Sequence, residues 1–187
     1  MEAGLFRFPV WLERLPFMTR GPATPWRRSL RPVSSCRHSN IYWLKESGMA
    51  AFENAKAFFV ACETGRGWAG CEPYVAAGAT FDAQSEPLTE IRTVRDYCEW
   101  MAAFGNNTAP GARYELHASA FDQEFCTALF FATYHARHTG DGGPVPPTGK
   151  ETHSHYVYAV TMNSVDKVER MVKIWNAPWA MRELGWA

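Results

Sequence analysis

Residues 138–150 read His138-Thr139-Gly140, a short glycine-rich insert, then Pro146-Pro147-Thr148-Gly149-Lys150. Proline fixes φ and glycine admits backbone conformations closed to other residues, so this stretch is a shaped loop between two extended segments. Working outward, it separates Glu124–His138 from Glu151–Met162, and turn-rich segments set off two more strand-like stretches, Arg113–Ala120 and Val168–Asn176. The N-terminal side is helical. Phe52, Ala55, Phe58, Phe59 and Cys62 recur at three- and four-residue steps, which predicts an amphipathic helix over residues 50–62 opened by Met49. Glycines 65, 67 and 70 break it, Trp68–Val75 reads as a second short helix, and Ala79–Ala83 as a short strand. Thr93–Phe104 is a third helix, with Val94, Tyr97, Cys98 and Met101 on one face. Helices first and a meander after predict an α+β domain, a cone-shaped curved antiparallel sheet wrapped around helices, with Ala177–Gly185 as a closing turn or short helix over its open end.

The loop, the Phe121-Asp122-Gln123-Glu124 hairpin turn, the Glu151–Trp175 strand pair and the terminal Glu183-Leu184-Gly185 resemble the SnoaL-like polyketide cyclases of the nuclear transport factor 2-like superfamily, over most of residues 50–187. The resemblance implies the cone fold, a pocket for a hydrophobic small molecule, no cofactor, and a homodimer formed through the sheet. It does not imply one reaction, because the superfamily holds cyclases, isomerases, epoxide hydrolases and non-catalytic proteins. In the cyclases an acid–base aspartate on the last strand pairs with a histidine on the strand before it. Here those positions fall on Lys173 and Tyr158, and a further acidic position falls on Asn176.

Proton abstraction beside a carbonyl needs a base, so Lys173 with a pKa lowered by desolvation is the candidate, with Tyr158 donating to the developing enolate. The alternative is a solvated lysine beside a packed tyrosine, in a ligand-binding relative or dimerisation module without catalysis. His117 and Glu115 on one strand face, and Asp82, are further candidate bases. His153 and His155 share a strand face near His135, but no convergent carboxylate completes a metal site, so no metal is expected. The expected ligand-binding aromatics are Trp68, Tyr74, Trp100 and Phe104 from the helical part, Phe81, Phe131, Tyr156 and Trp175 from strands, and Trp179 from the closing segment.

Nineteen basic and nineteen acidic residues cancel, which argues against a nucleic-acid or membrane partner, and no apolar run reaches the roughly 20 residues of a membrane span. Five cysteines without a C-x-x-C pair read as reduced, mostly buried thiols. Seven arginines and five prolines fall within residues 1–44 against two glutamates. Residues 1–48 are therefore expected to be a disordered or spurious extension: a transit peptide, a binding arm, or sequence upstream of the true start, the last being favoured. No secretory signal is seen, so a cytoplasmic location is expected, with the domain at residues 49–187.

Overall fold

The computed structural model describes the backbone of residues 41–187 and the side chains of residues 48–187; the expectations for residues 1–40 lie outside them. Helix α1 (Ile41–Glu63) begins eight residues before the Met49 start read from the pattern. No proline lies between Pro32 and Glu63, and one interior glycine, Gly48, costs only about 1 kcal/mol, so the helix continues upstream of its amphipathic part. Ala55, Phe58, Phe59 and Cys62 of the predicted face are buried, joined by Ala51 and Ala61, while Phe52 is partly buried against the core.

A short helix, α2 (Gly67–Cys71), and a 3-10 turn lead into β1 (Val75–Ala83), and α3 (Val94–Ala103) follows. Thr93 caps α3, its hydroxyl accepting from the Asp96 amide at 3.1 Å. Then come β2 (Arg113–Asp122), β3 (Thr127–Arg137), β4 (Glu151–Met162), β5 (Val168–Trp175) and α4 (Ala177–Leu184). Among the described residues no helix is long and apolar enough to cross a membrane.

The strands form one sheet in the order β1-β5-β4-β3-β2. The β2 to β5 meander is antiparallel, but β1 lies parallel to β5, so the sheet is mixed where an antiparallel one was expected. β1 and β5 are separated by most of the domain, so no hairpin constrains their direction. Burial along β4 alternates strictly, with Thr152, Ser154, Tyr156, Tyr158, Val160 and Met162 inward. That face packs on α1 and α3: Phe59 stacks on Phe130 at 4.6 Å between ring centroids, and Phe81 on Tyr97 at 4.2 Å. Each such ring, fully buried, contributes roughly 1.5–3 kcal/mol.

The loop that decided the fold has identifiable physics. His138 exchanges backbone bonds with its far end, its amide donating to Lys150 O at 2.9 Å and its carbonyl accepting from the Gly149 amide at 2.8 Å. The buried imidazole Nδ1 accepts from the Trp186 indole at 3.0 Å and the Thr148 amide at 3.3 Å, while the Thr148 hydroxyl donates to Leu184 O at 2.7 Å. The signature therefore ties α4 and the C-terminal turn down on the sheet. Gly140 is required because a Cβ there would lie 1.8 Å from the Asn107 carbonyl oxygen, and Gly149 because its φ is +70°.

Candidate active site

The register of β4 on β5 places Tyr158 directly opposite Lys173, both facing inward. Lys173 Nζ donates to the Tyr97 hydroxyl at 2.9 Å, and the Tyr97 and Tyr158 hydroxyls are 2.5 Å apart. Tyr158 in turn donates to Glu63 Oε1, and Tyr156 donates to Glu63 Oε2 at 2.5 Å. Four elements thus build one buried chain, Lys173–Tyr97–Tyr158–Glu63, with Tyr156 closing the second carboxylate oxygen. Glu63 is 2 % exposed and Lys173 7 %. Among the described residues the two are joined through the hydroxyls, with no direct ion pair.

Burial sets the electrostatics. It pushes the Lys173 ammonium below its ordinary value, partly opposed by Glu63 and Cys62. It pushes Glu63 up, opposed by Lys173 and the two tyrosine hydroxyls. Tyr97, Tyr156 and Tyr158 are raised by burial first and by the Glu63 charge second, so all three hold their protons. Lys173 Nζ also lies 5.0 Å from the Tyr156 and Trp175 ring centroids, so aromatic faces surround the amine.

Lys173 is at the wall of a narrow cavity between the sheet and α4, with Tyr134, Tyr156 and Trp175 beside it, Trp100 and Phe104 across from them, and Leu184 and Trp186 above. Its free volume is about 30 Å³, room for about one or two waters. A wider vestibule of about 490 Å³ adjoins it, sharing Pro87, Trp100, Phe104, Met181 and Trp186 as walls. Tyr134 reaches the cavity with a hydroxyl that has no hydrogen-bond partner among the described residues, and burial, then the Glu63 charge, keep it protonated.

The structure thus brings Tyr158 and Lys173 together and puts Trp100, Phe104, Tyr156 and Trp175 around the cavity. Other expected residues stand elsewhere. Asn176 is the exposed N-cap of α4, its Oδ1 accepting from the Trp179 amide at 3.2 Å. His117 is on the outer sheet face, where alternation from Glu115 two residues earlier puts it, with Nε2 2.6 Å from the Thr133 hydroxyl. Phe131 shares that outer face and is 41 % exposed. Trp68 borders a separate surface groove with Val75 and Arg95. Phe81 is sealed in the core under Tyr97, Tyr74 packs at the core's edge, and Trp179 points outward, 47 % exposed. Glu115 and the histidines also lie outside: His135 and His153 face each other at 2.7 Å, while His155 binds Thr133. Asp82, half-buried, is flanked on β1 by the inward Phe81 and Ala83.

Glu63 and Tyr97 were not anticipated. Glu63 closes an apolar helix face at a glycine break, where a carboxylate reads as a solvated end, and Tyr97 sits in an apolar stripe where an aromatic reads as core.

No protein-family model and no curated protein matches the chain. Solved structures do. A protein from Jannaschia sp. CCS1 described as a SnoaL-like polyketide cyclase superposes at a TM-score of 0.62 with 13% identity, covering 74% of this chain and 94% of that one. An NTF2-like protein from Burkholderia thailandensis E264 gives 0.56 at 12% identity (71% and 95%). An M. tuberculosis LEH-like epoxide hydrolase gives 0.53 at 10% identity (73% and 90%). At these identities the likeness is one of architecture: the chain has the nuclear transport factor 2-like fold, shared with proteins described as SnoaL-like cyclases.

Proposed function

We propose that this protein takes a small hydrophobic molecule bearing a carbonyl, of the polyketide type, into the cavity under α4 and acts on it by acid–base chemistry without a cofactor. The observation that carries the reading is Lys173, a buried amine at the cavity wall whose charge is disfavoured by burial and connected to a buried carboxylate. A neutral Lys173 removes a proton from the carbon next to the carbonyl. The ammonium formed is stabilised by Glu63 through Tyr97 and Tyr158, and the Tyr134 hydroxyl donates to the enolate oxygen. Returning the proton at another carbon isomerises the substrate; attack of the enolate carbon on a second carbonyl closes a ring. Either fits an enzyme whose neighbours in fold include polyketide cyclases.

A second reading, a ligand-binding or dimerisation module without catalysis, is favoured by the small free volume, since anything larger than about two waters must displace α4 or its side chains. Leu129, Phe131 and Ile174, exposed on the outer face, support a homodimer through the sheet. Deuterium exchange into the α-carbon of simple cyclic ketones, followed by NMR, tests the chemistry before the substrate is known. Wild type is expected to accelerate exchange, Lys173→Met to abolish that rate, and Tyr158→Phe to lower it. Equal rates in all three would remove the acid–base assignment and leave the binding reading.

A further inference from the structure

α1, α2 and α3 each bring one cysteine to a single point. Cys62, near the end of α1, Cys71, the last residue of α2, and Cys98, on the inner face of α3, place their sulfurs within 4.8 Å of one another. All three are at most 1 % exposed. Cysteine is commonly a small buried hydrophobe, but that role needs no convergence of three sulfurs from separate helices. A tetrahedral thiolate site with metal–sulfur bonds of about 2.3 Å holds its sulfurs about 3.8 Å apart. The three sulfurs are therefore near the spacing one ion would impose.

We propose that Cys62, Cys71 and Cys98 form a three-coordinate site for a soft monovalent cation of the copper(I) class. Among the described residues no histidine, carboxylate or further cysteine completes the cluster. Structural zinc is almost always closed by four protein ligands, whereas thiolates alone suit copper(I). Binding forms three copper–sulfur bonds, releases the thiol protons to solvent, and changes no oxidation state.

The test uses the full chain, reduced and held under anaerobic conditions, loaded with copper(I) in competition with bathocuproine disulfonate. One copper per chain is expected, with an X-ray absorption shell of three sulfurs. Cys71→Ser is expected to weaken retention more than about 100-fold, beyond the loss typical of disturbing a group behind the ligands. Cys126→Ser, outside the cluster, is expected to leave it unchanged. Circular dichroism checks that each variant is folded, and if Cys71→Ser is not, the sulfur shell of the wild type decides. Failure to retain copper, a nitrogen or oxygen shell, retention by a folded Cys71→Ser, or zinc held as tightly as copper would each overturn the proposal.

Discussion

Removing Glu63 and Lys173 singly and together asks whether the buried chain of hydroxyls joins them energetically. Glu63→Gln keeps the shape but removes the charge. Its amide nitrogen must face one of the two tyrosine hydroxyls that now donate to the carboxylate, and Lys173 is left buried with its counter-charge gone. Breaking a buried pair on one side costs about 3–5 kcal/mol. At about 2–4 °C per kcal/mol for a chain of this size, that is a fall in Tm of roughly 6–20 °C. Lys173→Met leaves Glu63 equally unmatched, with a similar expected cost. The double variant removes both burial penalties and is expected to be close to wild type or more stable by about 1–4 kcal/mol, since well-packed neutral replacements of buried pairs often are. Urea unfolding at pH 7, followed by tryptophan fluorescence, yields the coupling energy: two single costs of about 3–5 kcal/mol against a double variant near wild type put it at about 6–10 kcal/mol, above the roughly 0.5–3 kcal/mol usual for side chains sharing one network. Tyr158→Phe, which cuts the chain in its middle, should reduce that coupling. Single effects that add to within about 0.5 kcal/mol would show that the two groups do not sense each other and refute the relay.

Lys173 also sets a pH dependence. Its folded value lies below the ordinary 10.5, so its contribution to stability is present above pH 10.5 and is lost as pH falls through the folded value, with a slope of up to about 1.4 kcal/mol per unit between the two. Lys173→Met should lose that slope in unfolding measured across alkaline pH. The exchange activity should rise with pH through the same lowered value, and Glu63→Gln, by removing the charge that holds it up, should move the rise to lower pH. Gly140→Ala forces a methyl onto the Asn107 carbonyl and is expected to destabilise by about 1–3 kcal/mol or more, with faster hydrogen exchange in α4. Asn176→Ala should cost about 1 kcal/mol in thermal unfolding, the worth of an N-cap, while leaving the Lys173 titration where it was.

Those last two substitutions mark the boundary between what the sequence discloses and what it hides. Turn chemistry is local, so the 138–150 loop, the α1 face and the alternation of β4 could be read from spacing alone. The pairing of Tyr158 with Lys173 was also legible, because it depends only on the turn between β4 and β5, where Asn163 N donates to Lys167 O, and on the one extra residue of a bulge beside it. What escaped reading was assembled over long separations. Glu63 meets Tyr158 across 95 residues and Tyr97 meets Tyr158 across 61, and neither helix pattern records which polar or aromatic residue on it will find a partner. The parallel pairing of β1 with β5 and the convergence of three cysteines are non-local in the same way. Asn176 misled for the opposite reason: a short polar residue before a helix has a sufficient local role in capping it.

The loop also bears on the chemistry. A lysine whose charge is disfavoured stays so only while water is kept away, and water is kept away by Leu184 and Trp186 over the cavity. Those residues are held by Thr148 and His138, the two ends of the loop that decided the fold. Loosening the loop should therefore admit water beside Lys173 and move its pKa back towards 10.5 even though no loop residue touches the amine. A direct NMR titration of Lys173 in His138→Ala measures this. An unchanged value in a folded variant in which α4 exchanges freely would mean that the hydroxyl chain, and not the lid, holds the amine in its state.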